Sequence, residues 1–150
     1  MAVSKILGFK TQLGFGSSAG AGSSTFTKVA GVIGMPGPDG SGDDIDTSTI
    51  DNATNFKTFA RGQVDPGEMS LTLAYGSTDA SQKQLGTLYS SGLIVSWGFI
   101  FSSTAAASTD WDANTMDGYV KSMGRAIEKD AMITRTIGIK ITGDPGFPTT

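Results

Sequence analysis

The chain has 150 residues, a formal net charge of -3, and neither cysteine nor histidine. Those absences exclude disulfides and thiolate metal sites and remove the commonest general base and metal ligand, while the acidic balance argues against tight electrostatic capture of nucleic acid. The 21 glycines suit a chain rich in turns, the length suits one domain over residues 1–150 with a core of its own, and neither a signal peptide nor an apolar run of membrane length is visible, so synthesis in a cytoplasm is expected.

Residues 3–13 read as a first strand, with Ile6 and Leu7 at its apolar centre. Residues 14–24 form a Gly/Ser/Ala tract expected to be a flexible loop. Its Gly14-Phe15-Gly16-Ser17-Ser18-Ala19 superficially fits a dinucleotide fingerprint, but the fingerprint needs a helix to open there, and Gly20, Ala21, Gly22 and Ser23 are poor helix formers in sum. Residues 25–34 read as a second strand with Phe26, Val29, Val32 and Ile33. Met35-Pro36-Gly37-Pro38-Asp39-Gly40 ends it.

Residues 39–51 are acidic. An EF-hand needs glycine at its sixth position and glutamate at its twelfth. Counted from Asp39, those places hold Asp44 and Ile50, so the pattern fails. The plainer reading is an acidic turn leading into a Thr-rich strand, its short polar side chains bonding to nearby backbone. Residues 56–61 are expected to be a strand, paired through a turn at Asp65-Pro66-Gly67 with residues 69–75. Proline presets φ in that turn and glycine accepts positive φ. After it, Met69, Leu71, Leu73 and Tyr75 alternate with Ser70, Thr72 and Ala74, the period of a half-buried strand.

Ser77-Thr78-Asp79 supplies capping side chains for a helix over about residues 78–91, stopped by Ser90-Ser91-Gly92. Leu85, Leu88 and Tyr89 share one face of it, and a helix this short persists only by packing that face on a sheet. Residues 93–101 are apolar on both faces, so that strand is either central or covered by another subunit. Residues 102–114 are a polar loop in which Trp111 reads as an anchor. Residues 116–125 and 131–142 are two further strands. In the second, Arg135 intrudes on a face of isoleucines and is expected to meet a carboxylate, across a subunit boundary or within the chain. Residues 144–150 are a short tail.

One helix among many antiparallel strands makes the fold class mainly β: an antiparallel β-sandwich or small barrel with one flanking α-helix. No catalytic residue, metal ligand or cofactor site stands out, and nothing places two carboxylates in a cleft, so no enzyme is expected.

Several motifs, in their order, carry a resemblance. They are Asp44-Ile45-Asp46-Thr47-Ser48-Thr49-Ile50-Asp51, Gly62-Gln63-Val64-Asp65-Pro66-Gly67-Glu68, the Gln82-Lys83-Gln84-Leu85 helix, the Gly118-Tyr119-Val120-Lys121-Ser122 strand and the closing Ile137-Gly138-Ile139-Lys140-Ile141-Thr142-Gly143 strand. Over about residues 27–143 the chain resembles the major tail tube protein of long-tailed bacteriophages. The resemblance implies a structural virion protein made in the host cytoplasm, forming hexameric rings that stack into a hollow tail tube. Its implied partners are itself, a tape-measure protein in the lumen, tail-tip and tail-terminator proteins, and DNA in transient passage, with no membrane. Under it, Phe15, Gly16, Ile94, Trp97, Phe99 and Arg135 are expected at contacts between subunits or rings, and Asp43, Asp44, Asp46 and Asp65 on an acidic lumen that repels phosphates. The alternative is an Ig-like binding module, a capsid decoration or carbohydrate-binding domain, exposing Trp97 or Trp111 as a platform.

Overall fold

The computed structural model describes residues 11–20, 26–100 and 115–144. In chain order these form β1 (Gln12–Phe15), β2 (Thr27–Lys28), β3 (Val32–Gly34), β4 (Ser41–Asp46), β5 (Phe59–Asp65), β6 (Glu68–Ala74), α1 (Ala80–Ser91), β7 (Val95–Ile100), β8 (Met116–Ala126) and β9 (Thr134–Thr142). The antiparallel main sheet has seven strands in the order β2-β1-β7-β8-β9-β6-β3, and β4 and β5 make a separate two-stranded ribbon. Strands β2 and β3 are consecutive in sequence yet sit at opposite edges of the main sheet. Residues 29–31 alone join them, so the sheet must curl until its edges nearly meet. Two bonds mark this seam: the Val29 amide donates to Leu13 O at one edge and the Ala74 amide to Gly31 O at the other.

The alternation read from the sequence sets the core. Met69, Leu71 and Leu73 of β6 are buried against Ile137, Ile139 and Ile141 of β9, with Leu71 directly opposite Ile137. Each such side chain contributes about 1.5–3 kcal/mol through burial. Helix α1 packs on β8 and sends Leu85 and Leu88 into the same cluster. Asp79 caps it, accepting from the Gln82 amide at 3.1 Å, and Gly92 ends it in the left-handed conformation with its amide donating to Leu88 O. The third residue expected on its apolar face, Tyr89, is exposed instead. The buried face continues toward the N-terminus through Ser81 and Gln82.

Gln82 is the polar tie between helix and sheet. Its amide nitrogen donates to Ala30 O at 3.2 Å and Ala74 O at 2.8 Å, and its oxygen accepts from the Gly76 amide at 3.0 Å. A Gln82→Ala variant strands those backbone groups away from water and is expected to lose about 3 kcal/mol in urea unfolding. An unchanged midpoint would contradict that role.

Several sequence expectations are corrected. Strand β5 does not pair with β6; it pairs with β4, Ser41 opposite Asp65 and Asp46 opposite Phe59, while β6 lies between β9 and β3. The Asp65-Pro66-Gly67 turn is therefore a corner between the ribbon and the main sheet. Gly67 takes φ +87°, and a Cβ there would lie 2.1 Å from Asp39 O. The expected second strand is split into β2 and β3, because its halves serve opposite edges. The first strand runs through Phe15, and Ile6 and Leu7 lie outside the described residues. The expected flexible loop begins anchored: the Gly16 amide donates to Ser96 O, the Ser96 amide to Ser18 O, and the Gly20 amide to Asp117.

Strand β7 is covered on both faces by the chain itself. Val95 and Trp97 face the core, and the Phe26 ring lies over Gly98 on the other side. Leu93 and Ile94 precede the strand and stay exposed. Trp111 lies outside the described residues.

Candidate assembly surfaces

The β4–β5 ribbon is the element the core does not explain. Every residue of β4 is exposed, and in β5 only Gly62 is partly covered. An isolated two-stranded ribbon is at best marginally stable in water, and its free edges are ready to pair. Yet it carries large apolar side chains in the open: Ile45, Phe59 and Val64 on the strands, Ile50 at 109% and Phe56 at 81% relative exposure at the tip. The tip, residues 47–58, is ordered by its own polar groups. The Thr47 amide donates to Thr58 O, the Thr58 amide to Ser48 Oγ at 2.9 Å, Asn52 Nδ2 to Phe56 O at 3.0 Å, and the Ser48 amide to Asp46 Oδ1 at 2.9 Å. Those bonds hold Ile50 and Phe56 outward. A fixed, apolar, unpartnered projection is the signature of a surface that meets another molecule.

The base of the ribbon is tied to the sheet by the Asp65–Lys140 ion pair, beside a second pair, Glu68–Lys121, within the main sheet. Asp65 accepts from the Gly67 amide and from Lys140 Nζ, both at 2.9 Å, and Lys121 donates to Glu68. The Lys140 hydrogen bond, with the Gly67 amide second, holds the Asp65 carboxyl below its ordinary 3.8, and Lys121 holds Glu68 below 4.5. The Ser81 hydroxyl and Gln82 amide lower Asp79, and the Ser48 amide and hydroxyl lower Asp46. In each case the native state releases its proton at a lower pH than the unfolded chain. The stabilisation is complete above the ordinary carboxylate values and disappears as pH falls through the lower native ones. Thermal melts are therefore expected to be flat from about pH 6 to 8, where no histidine titrates, and to drop below about pH 4.5. A melting temperature that rises on acidification through that window would contradict these assignments.

A third feature lies at the other end of β8 and β9. Arg125 and Arg135 stand directly opposite each other across the ladder. Their guanidinium carbons are 5.6 and 4.9 Å from the centre of the Tyr75 ring, within cation–π range. Among the described residues, Arg135 Nε is buried without a hydrogen-bond partner. Among the described residues neither arginine forms an ion pair, so the carboxylate expected for Arg135 is not supplied within the described chain. An open cavity of about 350 Å³ adjoins them, lined by Tyr89, Met123, Gly124, Arg125 and Arg135.

The other expected contact residues divide by burial. Phe15, 5% exposed, packs on Trp97 with ring centres 5.6 Å apart; Trp97 is fully buried and donates to Gly118 O. Gly16 is buried too. These three are buried within the single chain. Burial also removes Trp97 as a binding platform. Ile94 is exposed and Phe99 partly so. Asp43, Asp44 and Asp46 lie exposed along β4, whereas Asp65 is engaged by Lys140. Among the described residues, no group of three or more His, Cys, Asp or Glu is placed to hold a metal ion.

The sequence reading missed the ribbon and the Tyr75 site. The signal for the first was present: Ile50 and Phe56 are large apolar residues in an otherwise polar turn. For the second, only Arg135 stood out, because the register that brings Arg125 and Tyr75 beside it is not local in sequence.

Comparison with known proteins adds the family. Residues 5–149 match the family described as "Phage tail tube, TTP, lambda-like". Among solved structures, the SPP1 tail tube is similar at 16% identity and TM-score 0.63, over 93% of this chain and 77% of that one. The tail of an empty GTA particle, refined with C6 symmetry, is similar at 10% identity and TM-score 0.65, over 91% and 94%. The sheath–tube complex of an extracellular contractile injection system (PVC) is similar at 13% identity and TM-score 0.63, over 93% and 88%. No curated protein sequence matches at a significant level.

Proposed function

The chain belongs to the lambda-like phage tail tube family, structural components of the virion, and from that premise we propose that its copies close into hexameric rings stacked into a hollow conduit. The observation that carries the assembly is the β4–β5 ribbon, with its ordered tip and exposed Ile50 and Phe56. A heterologous contact that closes makes a ring, and a second that does not close makes a filament. The ribbon supplies a long arm for one of them, and Ile94, Phe99 and Arg135 are proposed at the contacts. The tape-measure protein would occupy the lumen during assembly and DNA would pass through it later, with tail-tip and terminator proteins at the two ends. Asp43, Asp44 and Asp46 are the exposed carboxylates proposed to line the wall and keep phosphates sliding; Asp65 serves the corner with Lys140.

Size-exclusion chromatography with negative-stain electron microscopy of the purified chain tests this. Rings or hollow tubes are expected, alone or with a tail-tip complex. A chain that stays monomeric with tail-tip and tape-measure partners would contradict it.

A further inference from the structure

We propose that the cavity beside Arg125 and Arg135 is a socket for the β4–β5 tip of a second copy of this chain, with the Asp51 carboxylate received between the two guanidinium groups. The inference rests on the tube reading above and names the contact that reading leaves open.

The socket carries unmet electrostatic demand. Like charges directly opposite on paired strands destabilise a sheet, and Arg125 and Arg135 occupy such a pair. Tyr75 offsets part of that repulsion through its ring face, but the buried Nε–H of Arg135 has no hydrogen-bond partner among the described residues. A carboxylate matches the planar fork of guanidinium donors and neutralises the pair. The surroundings are mixed: the turn from β8 to β9 exposes Glu128, Lys129 and Asp130 beside large apolar side chains. Tyr89 is half exposed on the cavity wall, and Ile127, Met132 and Ile133 stand exposed where β8 turns into β9.

The tip has the complementary chemistry. Asp51 is the sole carboxylate in residues 47–58. It is exposed and follows directly on Ile50, with Phe56 on the same ordered loop. Lys57, the tip's one cation, is turned to Asp46 at 3.9 Å, which leaves Asp51 beside two large apolar side chains to meet the two arginines and Tyr89. The loop's internal hydrogen bonds reduce the ordering cost of docking.

The cysteine-free chain permits a direct test. Ala53 is exposed on the tip, and a Cβ at Gly124 on the cavity wall meets nothing within 4 Å. Ala53→Cys and Gly124→Cys chains are mixed, assembled and mildly oxidised. A cross-linked dimer, well above that from either variant alone, is expected on a non-reducing gel. In parallel, Asp51→Lys is expected to lower the assembled fraction at least tenfold, and combining it with Arg135→Glu to restore it. Tubes that form from the mixed cysteine chains without the cross-link would overturn the socket and leave the tube reading standing, as would Asp51→Lys tubes at parental yield. A parent chain that forms no ring or tube even with its tail partners would take down the tube reading itself, and the socket with it.

Discussion

The double variant Ile50→Asp, Phe56→Asp is expected to remain folded and to lose assembly. Both side chains are almost wholly in solvent in the single chain, so removing them strips nothing from its core. Surface changes of that kind shift stability by about 0.5 kcal/mol or less. At a junction between copies each would bury an apolar side chain, contributing about 1.5–3 kcal/mol. Losing both raises the concentration needed for assembly by a hundredfold or more at roughly 3–6 kcal/mol per junction. Sedimentation velocity beside a thermal melt separates the two effects. A variant that assembled like its parent would show that the tip is not a contact.

Gly67→Ala is expected to have the largest effect on folding. The position combines positive φ with a clash no side-chain rotation relieves, since the group 2.1 Å from the added Cβ is the backbone oxygen of Asp39. Moving Asp39 disturbs the entry to β4, and moving Gly67 disturbs the bond from the Ile141 amide to Gly67 O that starts the β6–β9 ladder. A loss of about 4 kcal/mol or more follows, lowering the melting temperature by roughly 10 °C in a chain of this size. Gly86→Ala is the control. It lies in α1, its added Cβ meets nothing within 4 Å, and alanine is favoured there by about 1 kcal/mol. Equal melting temperatures for the two variants would contradict the role of the corner.

These two positions show how far the sequence could be read. Local chemistry was legible. Asp79 and Gly92 marked both ends of the helix, and the alternation from Met69 to Leu73 gave the buried face of β6. Asp65-Pro66-Gly67 was legible as a turn but not as a corner, because the same residues serve a hairpin and a change of sheet. What decided between them was the partner: β5 pairs with β4, and β6 with β9 and β3. The burial of Trp97 within the single chain was hidden for a related reason. Its strand is apolar on both faces, which in a flat sheet would call for a second molecule. Here the sheet curls, so the chain covers both sides itself, with Phe26 over Gly98 and Phe15 against Trp97. Arg135 was visible as an intruder among isoleucines, but its neighbours Tyr75 and Arg125 arrive through pairings on both sides of β9.

Cryo-electron microscopy of assembled particles tests the central claim, that the β4–β5 ribbon joins copies of this chain into a tube. The account predicts hollow helical tubes in which each ribbon is seated on a neighbouring chain, with Ile50 and Phe56 buried at the junction. Tubes in which the ribbon projects into solvent, with Ile50 and Phe56 as exposed as in the single chain, would contradict it.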